Sequence, residues 1–280
     1  MRHRYRLHQT FRYEYTAPIR GMRHQLIVVP PPLHGDQVRL EHRVAVAGAA
    51  VHTTTRVDGF ANHLVEIRAE HVSEAIQFDA WVEVEREVPS APADLPLSAL
   101  GDARYRRPSP LTAPSPDILD AAVELARGGC PRLELAGRIA SWVHANMRYR
   151  FDATNVHTPA ARALALGAGV CQDYAHVMLA LCRAGGIPAR YVSGHLLGEG
   201  GSHAWVEVLV EHGADDGRRA VAIAFDPTHG RRAEAGYVTV AVGRDYADVA
   251  PTSGTFESPG RGRLSCRKRL EIATELQDAG

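Results

Sequence analysis

Apolar and polar residues alternate along much of the N-terminal part of the chain. Tyr5, Leu7, Gln9, Phe11, Tyr13 and Tyr15 recur at every second position, the period of a strand with one buried face. The run Gln25 to Val29 is short and apolar and is stopped by Pro30, Pro31 and Pro32, which cannot continue a ladder. Val38, Leu40, Val44 and Val46 resume the alternation. Thr53 to Val57 and His63 to Ile67 flank Asp58-Gly59, a hairpin signal, and Phe78 to Val84 supplies another strand. No helical period interrupts these runs. Residues 1–95 are therefore expected to form an antiparallel β domain, a sandwich or small barrel.

From Pro89 to Pro116 the chain turns rich in Pro, Ala and Ser, and 96–115 is read as a linker. Its basic residues Arg104, Arg106 and Arg107 fit a solvated surface. Helical signals follow. Ser115-Pro116-Asp117 is an N-cap with proline and acid in the first turn, and Gly128-Gly129 ends that helix. Leu135, Ile139, Trp142, Val143 and Met147 line one face of a second. Thr158-Pro159 opens a third, which stops near Gly167. A fourth runs from about Cys171 to Ala184 and is closed by Gly185-Gly186 and Pro188. Three strand-like runs come after it: Ala189 to Leu197, His203 to Val210 and Arg219 to Asp226. The expected class is α+β, with helices packed on an antiparallel sheet over 116–256 and a tail or last strand over 257–280.

Composition narrows the function. Of 280 residues, 45% are apolar and 23% charged, the balance of a globular protein. Lys+Arg and Asp+Glu both number 32, so no electrostatic excess favours nucleic acid or an anionic membrane as a partner. No apolar run is long enough to span a bilayer, and Met1-Arg2-His3-Arg4 lacks a secretory core, so a cytoplasmic location is expected. The four cysteines, Cys130, Cys171, Cys182 and Cys266, form no CxxC pair, which argues against a disulfide framework. There is no HExxH motif, and Cys171 and His176 do not share a helix face, so neither metal nor cofactor is expected.

Cys171 stands where Gly167-Ala168-Gly169-Val170 gives way to a helix. Unpaired N–H groups and the helix dipole favour a thiolate there. The rest of that helix is apolar nearly all round, as expected for a buried mount. Asp173, in the first turn, suits the dipole but would oppose the thiolate if it faced the sulfur. A thiol nucleophile needs an imidazole, and the imidazole needs a group to fix its tautomer. If the last two strands pair with Val210 opposite Arg219, His203 falls opposite Asp226. That register sets Trp205, Glu207 and Leu209 against Ala224, Ala222 and Ala220. It also makes a continuous apolar face of Val206, Ile223, Val208 and Val221. Cys171 would attack an amide carbonyl, His203 would carry the proton and Asp226 would orient the imidazole. The Cys171 N–H would be one oxyanion donor, with Gln172 and Asn155 as candidates for another.

Gly169-Val170-Cys171-Gln172-Asp173-Tyr174-Ala175-His176, Gly186 to Val192, Ser202-His203-Ala204-Trp205-Val206-Glu207 and Phe225-Asp226-Pro227-Thr228 resemble the bacterial transglutaminase-like family. Val240 to Val249 resembles that family's tail, and the β-rich start its N-terminal domain. The resemblance implies a papain-like core in which Cys171, His203 and Asp226 form a catalytic triad. It leaves the reaction open between hydrolysis and acyl transfer. The expected function is a cysteine-dependent peptidase or amidase acting on a peptide or protein substrate through a thioester. The alternatives are a protein-glutamine transglutaminase with an amine acceptor, and a non-catalytic binding module on the same scaffold. Oligomeric state is left open.

Overall fold

The alternation at the start of the chain becomes one long strand, Arg2–Tyr15, with Tyr5, Leu7, Gln9 and Phe11 buried and Arg6 and His8 facing out. The structure is a computed structural model that describes residues 1–214 and 217–276, with side chains to residue 273. The tip of the expected hairpin at 215–216 and the end of the chain at 277–280 lie outside the described residues.

Arg2–Tyr15 pairs with Ala75–Glu87 on one side and Gly262–Leu276 on the other. Gln37–Ala47 and the short Leu33–His34 extend this to five strands. A second sheet holds Thr252–Glu257, Ile19–Val29, His63–Val72 and His52–Val57 in that order. The inward faces of the two sheets meet in a core that includes Phe11, Met22, Leu26, Ile67, Ile76 and Phe78. Buried Gln9 is satisfied by donating to the Val28 carbonyl at 3.0 Å. The expected core ran to residue 256, yet Thr252–Glu257 pairs with Ile19–Val29 and belongs to the sandwich. Gly262–Leu276 likewise covers the edge of Arg2–Tyr15. These pairings join distant parts of the chain, and no local pattern encodes them.

The second layer system is the α+β core. Ser115 caps the helix Pro116–Leu125 by accepting from the Ile118 N–H. The helices Arg132–Asn146 and Ala160–Leu166 follow, the latter ended by left-handed Gly167. They surround Cys171–Ala184, which is buried from Gln172 to Arg183. This helix lies on a sheet ordered Arg231–Arg232, Arg219–Asp226, His203–His212, Ala189–Leu196, Tyr237–Gly243. The expected linker carries short helical turns at Leu97–Gly101, Ala103–Arg106 and Pro110–Thr112.

The two parts are fused by apolar and ionic contacts. Tyr5, Leu7, Val82 and Val84 of the sandwich pack on Val238 and Val240 of the core sheet. Beside them Glu207 accepts from Arg190 Nε at 2.7 Å and from His34 Nε2 at 2.7 Å. Burial alone would raise the Glu207 carboxyl, but the charges of Arg190 and His34 hold it down at about 2. Since its folded value lies below the ordinary 4.5, this contribution to stability is present above that value and is lost as pH falls toward about 2. Glu207→Ala leaves Arg190 buried without its anion, and urea unfolding at neutral pH should show a loss of about 3–5 kcal/mol.

Candidate active site

Three structural pieces bring the candidate residues together. The helix beginning at Cys171 supplies the thiol, the strand His203–His212 supplies the imidazole, and the end of Arg219–Asp226 supplies the carboxylate. The last two strands are antiparallel, but their register differs from the expected one by two residues. Val206 faces Phe225, Glu207 faces Ala224 and His212 faces Arg219, so His203 is not directly opposite Asp226. A two-residue slip leaves every side chain on its own face, which is why the apolar pattern could not distinguish the two registers. His203 nevertheless reaches Asp226 diagonally, Nε2 donating to Oδ2 at 2.8 Å.

Asp226 is fully buried and its carboxylate is saturated. Besides His203, Oδ2 accepts from His229 Nδ1 and from the Tyr237 hydroxyl, each at 2.7 Å. Oδ1 accepts from the N–H groups of Thr228 at 2.9 Å and His229 at 3.2 Å. Burial would raise this carboxyl, but the bonds from His203, His229 and Tyr237 hold it far below the usual range. With Nε2 committed to Asp226, His203 turns Nδ1 toward the reacting side. Burial disfavours its charged form, but bonding to Asp226 and to the Cys171 thiol outweighs this and raises the imidazole to about 10.

The mount of Cys171 is built around Asp173. Asp173 Oδ2 accepts from the Val170 N–H at 2.8 Å and the Thr154 hydroxyl at 2.6 Å, so the carboxylate caps its own helix. Burial pushes it toward the neutral acid. Gly169 is required here, since a Cβ would lie 2.4 Å from Asp173 Oδ2. The first-turn N–H groups of Cys171 and Gln172 have no acceptor within the helix and are available to an oxyanion. Gln172 Nε2 instead donates to the Val156 carbonyl at 3.2 Å, and Asn155 Oδ1 accepts from the His157 N–H at 2.9 Å, so both side chains are anchored in the loop before the helix, Gln172 through its donor and Asn155 through its acceptor. Exposed Tyr149 and Phe151, in edge contact at 5.3 Å, lie on that loop. Tyr149 pairs with Gly169, which brings it beside the helix start.

Two family models match the chain: the transglutaminase-like superfamily over residues 120–220, and the bacterial transglutaminase-like N-terminal region over 5–85. An uncharacterised protein of Mycobacterium leprae is 32% identical, over 75% of this chain and 76% of its own. The chain belongs to the bacterial transglutaminase-like family. An uncharacterised protein of Mycobacterium tuberculosis is 28% identical over 90% of this chain and 87% of its own. A crystal structure from Cytophaga hutchinsonii, provisionally titled a cysteine protease, superposes with a TM-score of 0.78 at 21% identity, over 99% of this chain and 93% of that one. That likeness carries the fold. The superfamily match includes Cys171 and His203 and stops short of Asp226.

Sequence reasoning missed Glu199, His229 and Tyr237. Tyr237 starts the strand Tyr237–Gly243, ahead of the Val240 to Val249 run that resembles the family's tail, and only tertiary folding brings its hydroxyl to Asp226. His229 follows Asp226 by three residues in a tight turn, and Glu199 stands alone among Gly198, Gly200 and Gly201. His203, Asp226 and His229 present atoms within 4.8 Å of one another, a spacing a cation also requires. Here both histidines donate to Asp226, so hydrogen bonds account for the cluster. Among the other cysteines, burial pushes the Cys182 thiol up to about 12, as for a packing residue. Asp226→Asn removes the charge that opposes desolvation of His203. The imidazole midpoint, followed by NMR of its ring nitrogens, should fall by at least about 2 units.

Proposed function

We propose that this transglutaminase-like chain is a cysteine-dependent hydrolase of peptide or glutamine-type amide bonds, with Cys171 as nucleophile, His203 as general base and acid, and Asp226 as the group that orients it. The observation that carries this reading is the division of His203: Nε2 is held by Asp226 at 2.8 Å, leaving Nδ1 for the thiol at the helix start. In the first half-reaction Sγ, its proton held by His203 Nδ1, bonds to the carbonyl carbon as the carbonyl π bond opens. The developing oxyanion meets the Cys171 and Gln172 N–H groups. The C–N bond then breaks, the amine leaves with the proton from His203, and a thioester remains. In the second, water gives its proton to His203 as its oxygen attacks the thioester, the C–S bond breaks, the carboxylic acid leaves, and Cys171 is restored beside the proton held by His203.

Water is favoured over an amine because the mouth is open. Cys171 is only partly buried, and the side chains of Glu199 and His229 are 38% and 35% exposed. Excluding water would need a closed acceptor channel. A cavity of about 360 Å³ lies elsewhere, between the sandwich and the far side of the core sheet, lined by His34, Arg86, Trp205 and Glu207. Cys171 does not line it.

The test gives wild-type and Cys171→Ala protein a glutamine-containing peptide, with and without a labelled primary amine, and reads products by mass spectrometry. The expected result is backbone cleavage or a gain of about one mass unit at glutamine. This product should be absent in Cys171→Ala and reduced roughly 10²- to 10⁴-fold in His203→Ala. Amine incorporation dependent on Cys171 would replace this reading with a transferase. No Cys171-dependent product from a panel of such peptides would favour a binding module.

A further inference from the structure

The segment between the strands Ala189–Leu196 and His203–His212 carries one charged side chain, Glu199, and presents it directly to the candidate site. Glu199 Oε2 lies 3.2 Å from His203 Nδ1, and Oε1 lies 3.3 Å from His229 Nε2. The opposite nitrogens of the same two rings, His203 Nε2 and His229 Nδ1, both donate to Asp226 Oδ2. Two carboxylates and two imidazoles thus close a ring, with Asp226 at its buried pole and Glu199 at its exposed pole. The Glu199 backbone is fixed from both sides. Its N–H donates to the Leu196 carbonyl at 3.1 Å, and buried His195 Nδ1 donates to the Gly201 carbonyl at 3.1 Å.

The consequence follows from the number of partners. His203 bonds to the Cys171 thiol, and with Nε2 committed to Asp226 the one Nδ1 proton is what both the thiol and the Glu199 carboxylate have to share. We propose that Glu199 is a positioning residue and a brake, sharing the His203 Nδ1 proton with Cys171 and held over it by His229. This rests on the assignment of Cys171 and His203 given above and adds a fourth charge to it. A carboxylate here favours the imidazolium but opposes a second anion on the neighbouring sulfur. Removing its charge should make the thiolate easier to form and the imidazolium easier to lose.

Other groups act on the same cluster and stay constant in the comparison. Asp226, His229 and Tyr237 face His203 from the turn and the neighbouring strand. Tyr149, from the loop before the helix, feels both Cys171 and Glu199. Tyr191, near Cys171, also feels Asp173. Lys268 of the last strand feels Cys171, and buried His195 feels both Lys268 and His203.

The test is the rate of Cys171 alkylation by iodoacetamide across pH, in the full chain, for wild type, Glu199→Gln and Glu199→Ala. Thermal melts confirm that each variant is folded. Wild type should show a step in alkylation rate at about 10 as His203 loses its proton. Both variants should move that step down by about one pH unit and alkylate roughly tenfold faster on its acid side. A step that stays in place in both variants, with unchanged rates below it, would overturn the role of Glu199 alone. A wild-type profile without that step would overturn the pairing of Cys171 with His203, and the brake with it.

Discussion

Asp226 has no access to water and accepts five hydrogen bonds, three from side chains and two from the backbone of the turn that follows it. An ionised carboxylate in such a place is tolerable only because each lone pair is met. Its saturation fixes two imidazoles at once. His203 cannot rotate without losing its bond to Asp226, so its tautomer and the direction of Nδ1 follow from this one group, and its high affinity for a proton follows from Asp226 together with Cys171. The thiol of Cys171 meets an imidazole already set in place.

The fold serves that arrangement by fixing the pieces around it. A buried helix holds Cys171 at its amino end, capped by Asp173 through the Val170 N–H and freed by Gly169 to sit close. The strand Tyr237–Gly243 lends the Tyr237 hydroxyl to Asp226 and, through Val238 and Val240, the surface on which the sandwich docks. Arg86 of the sandwich donates to the Tyr237 carbonyl while its guanidinium is anchored by Asp36. The β domain therefore reaches within one residue of the ring around the candidate base. Its last two strands, Thr252–Glu257 and Gly262–Leu276, follow the core in sequence, so the core is inserted in chain order between two parts of one sandwich.

Much of this was legible because it is local. Alternation over Tyr5 to Phe11, the cap at Ser115 and the glycines before Cys171 each state a backbone geometry within a few residues. The three candidate residues were legible because a thiol at a helix start needs an imidazole and an acid, and few pairs satisfy both chemistry and strand parity. The register was not, since moving His203 by two positions leaves Trp205 and Glu207 on the same face. Glu199, His229 and Tyr237 gave no signal because their meaning lies in which nitrogen or oxygen they approach, a property of the folded chain. Asp173 showed an ambiguity of direction, and only the Val170 N–H and Thr154 hydroxyl decide it.

The account turns on Cys171 being reactive because of His203 rather than because of its exposure. The direct measurement is labelling at neutral pH with less than one equivalent of iodoacetamide, followed by mass mapping of Cys130, Cys171, Cys182 and Cys266. Cys266 is exposed and Cys171 only partly so, hence simple access would label Cys266 first. The account predicts that Cys171 is labelled first in wild type and loses that preference in His203→Ala. Labelling that begins at Cys266 and is indifferent to His203 would contradict it.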